Sequence, residues 1–292
     1  MAVPMTADQF VHALKAEGLS VKEHVGWRSH NRNHKGAWGP MNGVVIHHTA
    51  GSNSLNFVYR GTAALPGPLA HSHLAKSGVV NMVGNGRANH AGTFAQNAHT
   101  AVLSESSTHP APSASEPVDG NRHYYGIEIE NLGTGKDFYP DVQYRAAVRW
   151  AAAICRFHKW SANSVIGHKE GTTRKIDPKG PIGSAKGEMW NMDDFRKDVA
   201  AQLKEKPAPS KPGIPAFPGA KYFKAGANNS HVTQLGKQLV KRGYGRFYSV
   251  GPGPKWSDSD RRAVQAFQKA LKWTGSDADG YPGPITWQRL FS

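Results

Sequence analysis

The sequence predicts two folded units: an α/β domain in which a mixed β-sheet is flanked by helices, then a small three-helix domain. Three observations carry this reading. Short apolar runs of strand length alternate with amphipathic helical stretches over roughly the first 200 residues, the pattern of a sheet covered by helices. Fourteen of the fifteen histidines lie before residue 204. A run rich in proline and lysine follows, and beyond it only helical signals recur.

Residues 5–17 read as an amphipathic helix with Phe10, Val11 and Leu14 on one side. Gly43-Val44-Val45-Ile46-His47 is a short apolar run ending in polar residues, a buried strand, and Val79–Val83 and Tyr124–Ile129 are further strands. Asp141–His158 is a long helix with Asp141 as its N-cap and Val148, Ala151, Ala152 and Cys155 at helical spacing. Asp193–Lys204 is the last helix of this domain, with Phe195, Val199 and Leu203 at four-residue steps. Between Thr93 and Arg122 the chain is rich in Ala, Ser, Thr and Pro and reads as a long loop, either functional or disordered. Four prolines between Pro207 and Pro215 forbid a helix interior and favour a stiff, extended spacer. The expected organisation is a first domain at 1–204, a linker at 205–218 and a second domain at 219–292. In the second domain His231–Lys241, Ser257–Leu271 and Pro284–Leu290 read as helices. Ser257 and Asp260 stand at capping-box spacing, and Pro284 sits where proline starts a helix.

The chain has 292 residues, of which 38% are hydrophobic, ample for packed cores, and a formal charge of +15. The charge is uneven: +6 over residues 1–206 and +9 over 207–292. Nucleic acid, an anionic membrane surface or an acidic polymer such as a bacterial cell wall would each account for it. No nucleic-acid-binding motif is present, which disfavours the first. No stretch approaches the roughly 18 apolar residues that span a bilayer, so membrane insertion is not expected. The N-terminus, Met1 to Gly18, lacks the basic, apolar and small-residue regions of a secretory signal. Cys155 is the only cysteine, which excludes an intrachain disulfide and a four-cysteine zinc site and fits synthesis in a reducing cytoplasm. The sequence sets no oligomeric state.

The chemistry-bearing residues are dispersed. His47 and His48 end a strand; neighbouring strand side chains face opposite ways, so only one of the two can serve a given site. Gly167-His168 follows the apolar pair Val165-Ile166, again a histidine delivered by an element end. Asp177 precedes Pro178, which favours an extended backbone and projects Lys175 and Asp177 to the same side. Two imidazoles and one carboxylate make a usual donor set for a catalytic zinc. Along Tyr124–Ile129, alternation places Ile127 and Ile129 on the core face and Glu128, with Glu130 beyond it, on the other. A carboxylate near such a site can accept a proton from water and pass one to a leaving amine; a lysine there can stabilise an oxyanion. His48, His71 and His73 read as packing or hydrogen-bonding groups. Trp256, Trp273 and Trp287 suit either sugar stacking or a core.

Five segments in order are recognisable: Val45-Ile46-His47-His48-Thr49-Ala50-Gly51, Asn89-His90-Ala91-Gly92, Gly126-Ile127-Glu128-Ile129-Glu130-Asn131, Gly167-His168-Lys169-Glu170 and Arg174-Lys175-Ile176-Asp177-Pro178. Together they resemble the zinc-dependent N-acetylmuramoyl-L-alanine amidases, the type 2 family related to peptidoglycan recognition proteins, over about residues 25–200. The resemblance implies a type 2 amidase-like sheet, a Zn2+ cofactor held by His47, His168 and Asp177, Glu128 as acid/base and Lys175 as transition-state stabiliser. It also implies that His90 lines the substrate groove. The implied reaction is hydrolysis of the amide joining N-acetylmuramic acid to L-alanine. Some relatives place a cysteine where Asp177 stands; Cys155, among apolar neighbours, reads as core. The Thr93–Arg122 segment is longer than the family leads one to expect.

The C-terminal segment is similar to small three-helix peptidoglycan-binding modules in Ala263-Val264-Gln265-Ala266-Phe267-Gln268 and in Asp279-Gly280-Tyr281-Pro282-Gly283-Pro284-Ile285-Thr286-Trp287, with Val232-Thr233-Gln234-Leu235 and Gly243-Tyr244 before them. The implied partner of both domains is bacterial peptidoglycan. A wall-cutting enzyme without an export signal fits a phage endolysin released at host lysis. A bacterial autolysin or wall-remodelling amidase is the alternative, and a non-catalytic recognition protein a more distant one.

Overall fold

The structure, a computed structural model, describes residues 2–205, 215, 217–271, 273 and 278–291. The backbone forms two compact units, Met1–Ser210 and Lys211–Ser292. Of the linker expected at 205–218, residues 206–214 and 216 lie outside the described residues.

In the first unit the order is α1 (Ala7–Ala16), β1 (Val21–Glu23), β2 (Gly43–His48), α2 (Leu55–Arg60), β3 (Ser72–Leu74), β4 (Val80–Met82), β5 (Thr93–Phe94), α3 (Gln96–Leu103), β6 (Val118–Asp119), α4 (Gly120–His123), β7 (Tyr124–Ile129), α5 (Asp141–His158), β8 (Val165–Gly167), α6 (His168–Gly171) and α7 (Met192–Lys204). Six strands form the mixed sheet in the order β1-β4-β3-β7-β2-β8. Only the β3–β4 pair is antiparallel. β5 and β6 form a separate antiparallel pair.

Alternation along β2 and β7 explains why both faces of the sheet are covered. Val44, Ile46, Ile127 and Ile129 point into a core with Trp150 of α5 and Phe195 of α7. Val45 and Tyr124 point the other way, into a second cluster with Phe94, Ala98, Val102 and Ile166. Strands buried on both faces read as continuous apolar runs, as Gly43–Ile46 does. The alanines at 146, 147, 151 and 152 are buried along α5, where small side chains let a helix lie close to its neighbours. Cys155 is buried in the same core, as expected.

Two local expectations change. Pro140 occupies the N-cap of α5 and Asp141 is its first helical residue, where a negative charge still opposes the positive end of the helix dipole. The Thr93–Arg122 segment is no bare loop: it holds β5, α3, β6 and most of α4. Ala98, Ala101 and Val102 of α3 are buried rather than solvated. Their composition signals a loop, but their packing partners on the sheet are remote in sequence.

The second unit contains α8 (Ser230–Leu239), α9 (Asp258–Ala270) and α10 (Pro284–Phe291). Ser257 and Asp260 form the expected reciprocal capping box at the start of α9. Leu235, Val264, Phe267, Trp256 and Trp287 share one core, which assigns these two tryptophans to packing; Trp273 is half-buried. Gln268 connects the two C-terminal motifs. Its Oε1 accepts the Gly280 N–H at 2.9 Å, and its Nε2 donates to the Tyr281 carbonyl at 3.0 Å and to Thr286 Oγ1 at 3.3 Å. Gly280 sits at φ +85°, and a Cβ there would lie 2.6 Å from the Arg261 carbonyl oxygen, so the turn requires glycine.

Because Gln268 is 2% exposed, truncating it strands polar groups that water cannot reach. Gln268→Ala is expected to destabilise this unit by about 1–3 kcal/mol. Hydrogen exchange measured by mass spectrometry checks it: peptides covering 278–291 should lose protection, and unchanged protection would refute the role.

Candidate active site

Three parallel neighbours, β7, β2 and β8, end at the same edge of the sheet, and each delivers a functional side chain there. Open α/β sheets place ligand sites at the carboxyl ends of such strands. His47 on β2 lies in register with Glu128 on β7, and Glu128 with His73 on β3. His168 begins α6 directly after β8, and Asp177 follows in the next loop.

His47, His168 and Asp177 come together. His47 Nδ1 lies 2.9 Å from His168 Nδ1, and Asp177 Oδ2 lies 3.0 Å from His168 Nδ1 and 3.3 Å from His47 Nδ1. All three residues are buried. Two ring nitrogens and a carboxylate oxygen converging this closely form a donor set that could hold a metal ion. The electrostatics agree with that fit. Burial, reinforced by the neighbouring His168, lowers His47 to about 4, so its ring is neutral and able to donate a lone pair. For Asp177, burial works to raise the carboxyl, but the adjacent imidazoles, His168 foremost, hold it below the ordinary carboxylate range and keep it ionised.

Glu128 is the opposite case. Burial pushes its carboxyl well above the ordinary range, the Asp177 charge adds to this, and Lys175 opposes it. Its Oε2 is buried without a hydrogen-bond partner. A carboxyl so placed holds a proton more readily than an exposed one, as a proton carrier must. Lys175 is exposed, and its charge bears on both His47 and Glu128. Glu130 approaches His73 Nε2 at 3.5 Å, and His73 also contacts Ser54 Oγ at 3.0 Å.

His90 lies directly beside His47. The residue is 7% exposed, and both ring nitrogens are engaged inside the protein: Nδ1 with His47 Nε2 at 3.0 Å and Nε2 with the Tyr124 carbonyl at 3.1 Å. The ring occupies the space above Gly126, where a Cβ would come within 2.4 Å of His90 Nδ1. A glycine in a strand here marks close approach rather than a turn. His90 therefore underlies His47. His48 faces the other side of β2; its Nδ1 accepts the Lys179 N–H at 3.2 Å and meets the Tyr139 hydroxyl. His71 accepts from Gly126 N–H through Nδ1 and meets the Gly86 carbonyl through Nε2.

Two supports escaped sequence reasoning. Glu170 accepts the Gly167 N–H at 2.9 Å and is gripped by both terminal nitrogens of Arg196 on α7, at 2.8 and 2.9 Å. This pair fixes the β8–α6 corner that presents His168. Its only local trace is an acid three residues after Gly167, the spacing of a helix start. Glu116 binds Arg174, Thr172 and Thr93 and so ties the inserted 93–119 segment to the loop carrying Lys175 and Asp177. No pattern links residues 58 positions apart.

Among the described residues, no helix is long and apolar enough to cross a membrane. A search of curated proteins finds no match to the sequence. Solved structures resembling the chain include the endolysin N-acetylmuramoyl-L-alanine amidase LysCS from Clostridium intestinale, at 14% identity and TM-score 0.39, covering 62% of this chain and 95% of that one. Also similar is the amidase AmiD from E. coli in complex with an anhydro-N-acetylmuramic acid peptide, at 18% identity and TM-score 0.39, covering 88% and 89%. A third is AmpDh3 from Pseudomonas aeruginosa, at 16% identity and TM-score 0.38, covering 87% and 91%. The family model for N-acetylmuramoyl-L-alanine amidase matches residues 37–180, the stretch that contains every residue of the site above. Residues 37–180 therefore carry an N-acetylmuramoyl-L-alanine amidase domain.

Proposed function

We propose that the protein is a zinc-dependent peptidoglycan hydrolase that cleaves the amide between N-acetylmuramic acid and L-alanine, and that it acts as a phage endolysin in host lysis. The carrying observation is the convergence of His47, His168 and Asp177 beside Glu128, whose Oε2 is buried without a partner, within an amidase domain. His47 Nδ1, His168 Nδ1 and Asp177 Oδ2 would hold the ion. Bound there, zinc supplies Lewis acidity that polarises the scissile carbonyl and acidifies nearby water.

The protein's own groups do the rest. The Glu128 carboxylate takes a proton from the attacking water as the new C–O bond forms. Lys175 stabilises the negative charge that develops on the carbonyl oxygen. Glu128 then returns the proton to the L-alanine nitrogen as the C–N bond breaks, leaving a lactyl carboxylate and a free amine. Burial suits both duties, because it raises the Glu128 pKa and so makes the carboxylate a stronger base. The C-terminal unit, which carries most of the +9 beyond residue 206, is proposed to bind the anionic wall and raise the local substrate concentration.

Mass spectrometry of fragments released from purified sacculi tests the reaction: new N-terminal L-alanine on intact glycan strands is expected, and new reducing sugar ends would refute it. Exhaustive chelation should abolish release and added zinc restore it; release that survives chelation would exclude a metal-dependent mechanism. Glu128→Gln should lower the rate by about 10²–10⁴-fold while the protein still pellets with sacculi. Lys175→Met removes a charge that favours the Glu128 carboxylate, so the Glu128 pKa should rise. Because the base must be ionised, the acid limb of kcat/KM should move to higher pH. A limb that stays in place would separate Lys175 from Glu128.

A further inference from the structure

We propose that His90 is a positioning residue that fixes the proton on His47 Nε2, and thereby keeps His47 Nδ1 bare toward the metal site. The inference rests on the proposed metal-binding role of His47 and extends it to a chain of donors that begins at the backbone of Tyr124.

A carbonyl oxygen can only accept a hydrogen bond. Its 3.1 Å contact with His90 Nε2 therefore places a proton on that nitrogen. A neutral imidazole with Nε2–H has a lone pair at Nδ1. That lone pair meets His47 Nε2 at 3.0 Å, so His47 Nε2 must be the donor. The remaining nitrogen of His47, Nδ1, is then unprotonated, and it is the atom 2.9 Å from His168 Nδ1 and 3.3 Å from Asp177 Oδ2. The opposite arrangement would set the His90 Nε2 lone pair against the carbonyl lone pairs and leave neither buried group satisfied.

The surroundings hold His90 in this pose. Asn121 Oδ1 accepts the backbone N–H of His90 at 2.8 Å and of Ala91 at 2.9 Å, which anchors the Asn89–Gly92 segment. The absence of a side chain at Gly126 leaves the space that the ring fills. His90 is almost fully buried, and burial lowers its pKa well below the ordinary range, consistent with a neutral ring. Metal-binding histidines commonly donate their second ring nitrogen to a carboxylate, a carbonyl or water. Here a second histidine takes that place and passes the preference of the Tyr124 carbonyl to His47.

The test uses the full chain. Long-range proton–nitrogen correlation spectra of the metal-free wild type should show His90 and His47 both protonated at Nε2; a proton on His90 Nδ1 would overturn the proposal. Zinc affinity, measured by competition with a chelating dye, should fall about 10–100-fold in His90→Ala. His90→Asn, whose Oδ1 falls where Nδ1 sat, should recover part of that loss, and His47 in His90→Ala should populate both tautomers. Wild-type zinc affinity in His90→Ala would overturn the proposal. If His90→Ala does not fold, the wild-type spectrum and His90→Asn still decide. A wild type that takes up no zinc would sink the metal reading, while the tautomers of the metal-free protein would judge the relay separately.

Discussion

The site depends on the register between β2 and β7. These parallel strands pair so that Val45 lies beside Gly126 and His47 beside Glu128. Side chains alternate strictly, so the same register that sends Val44, Ile46, Ile127 and Ile129 into the helical core sends His47 and Glu128 to the opposite face. A slip of one residue would turn the apolar set toward the site and send His47 and Glu128 into the helical core. The large apolar surface covered by α1, α5 and α7 thus selects the catalytic geometry without touching it. Gly126 belongs to the same constraint: it is beside Val45 in the register, and only a bare backbone there admits the His90 ring beneath His47.

That geometry places acids of opposite character within one low-dielectric pocket. Asp177 is held ionised by the imidazoles beside it, whereas Glu128 has no partner and its neutral form is favoured. In the proposed reaction, two carboxyl groups pushed apart in this way divide labour, one as a fixed charge and the other as a proton carrier. A buried group without a partner destabilises the fold, and such groups persist where surrounding structure overdetermines them. Here the surroundings include the Glu170–Arg196 clamp at the β8–α6 corner and the Glu116–Arg174 tie across the inserted segment. Both hold the backbone that presents His168, Lys175 and Asp177, so the cost of the site is met by contacts outside it.

Local sequence made some of this legible. The apolar run before His47 and the alternation of Gly126–Ile129 mark strands, and alternation alone allows only one of His47 and His48 to face the site. The structure turns His47 to that face and leaves His48 against Tyr139 and Lys179. The contact of His90 with His47 left no local trace; what admits the ring is the bare backbone at Gly126, 36 residues away. The alanine-rich α3 was hidden for a similar reason. Its buried side chains are small, their partners are Val45 and Ile166 on the sheet, and its serine- and proline-rich flank resembles a loop. The clamps on Glu116 and Glu170 are long-range ion pairs, which carry no periodicity.

The charge distribution bears on the second unit in a different way. A net +9 on so short a segment is self-repulsive and works against compactness. The fold answers with devices that do not depend on charge: the Ser257–Asp260 capping box, the Gln268 bridge to Gly280 and Tyr281, and an aromatic core around Trp256, Phe267 and Trp287. The basic side chains are left to the surface, as with Arg261 and Arg262 around Asp258. For the proposed wall partner this has a thermodynamic consequence. A polyanion that gathers near these cations relieves the repulsion, so binding stabilises the folded unit and the folded unit presents the charges together. In the proposed function the excess charge serves attachment, while the chemistry stays in a domain where the decisive charges are few and individually positioned.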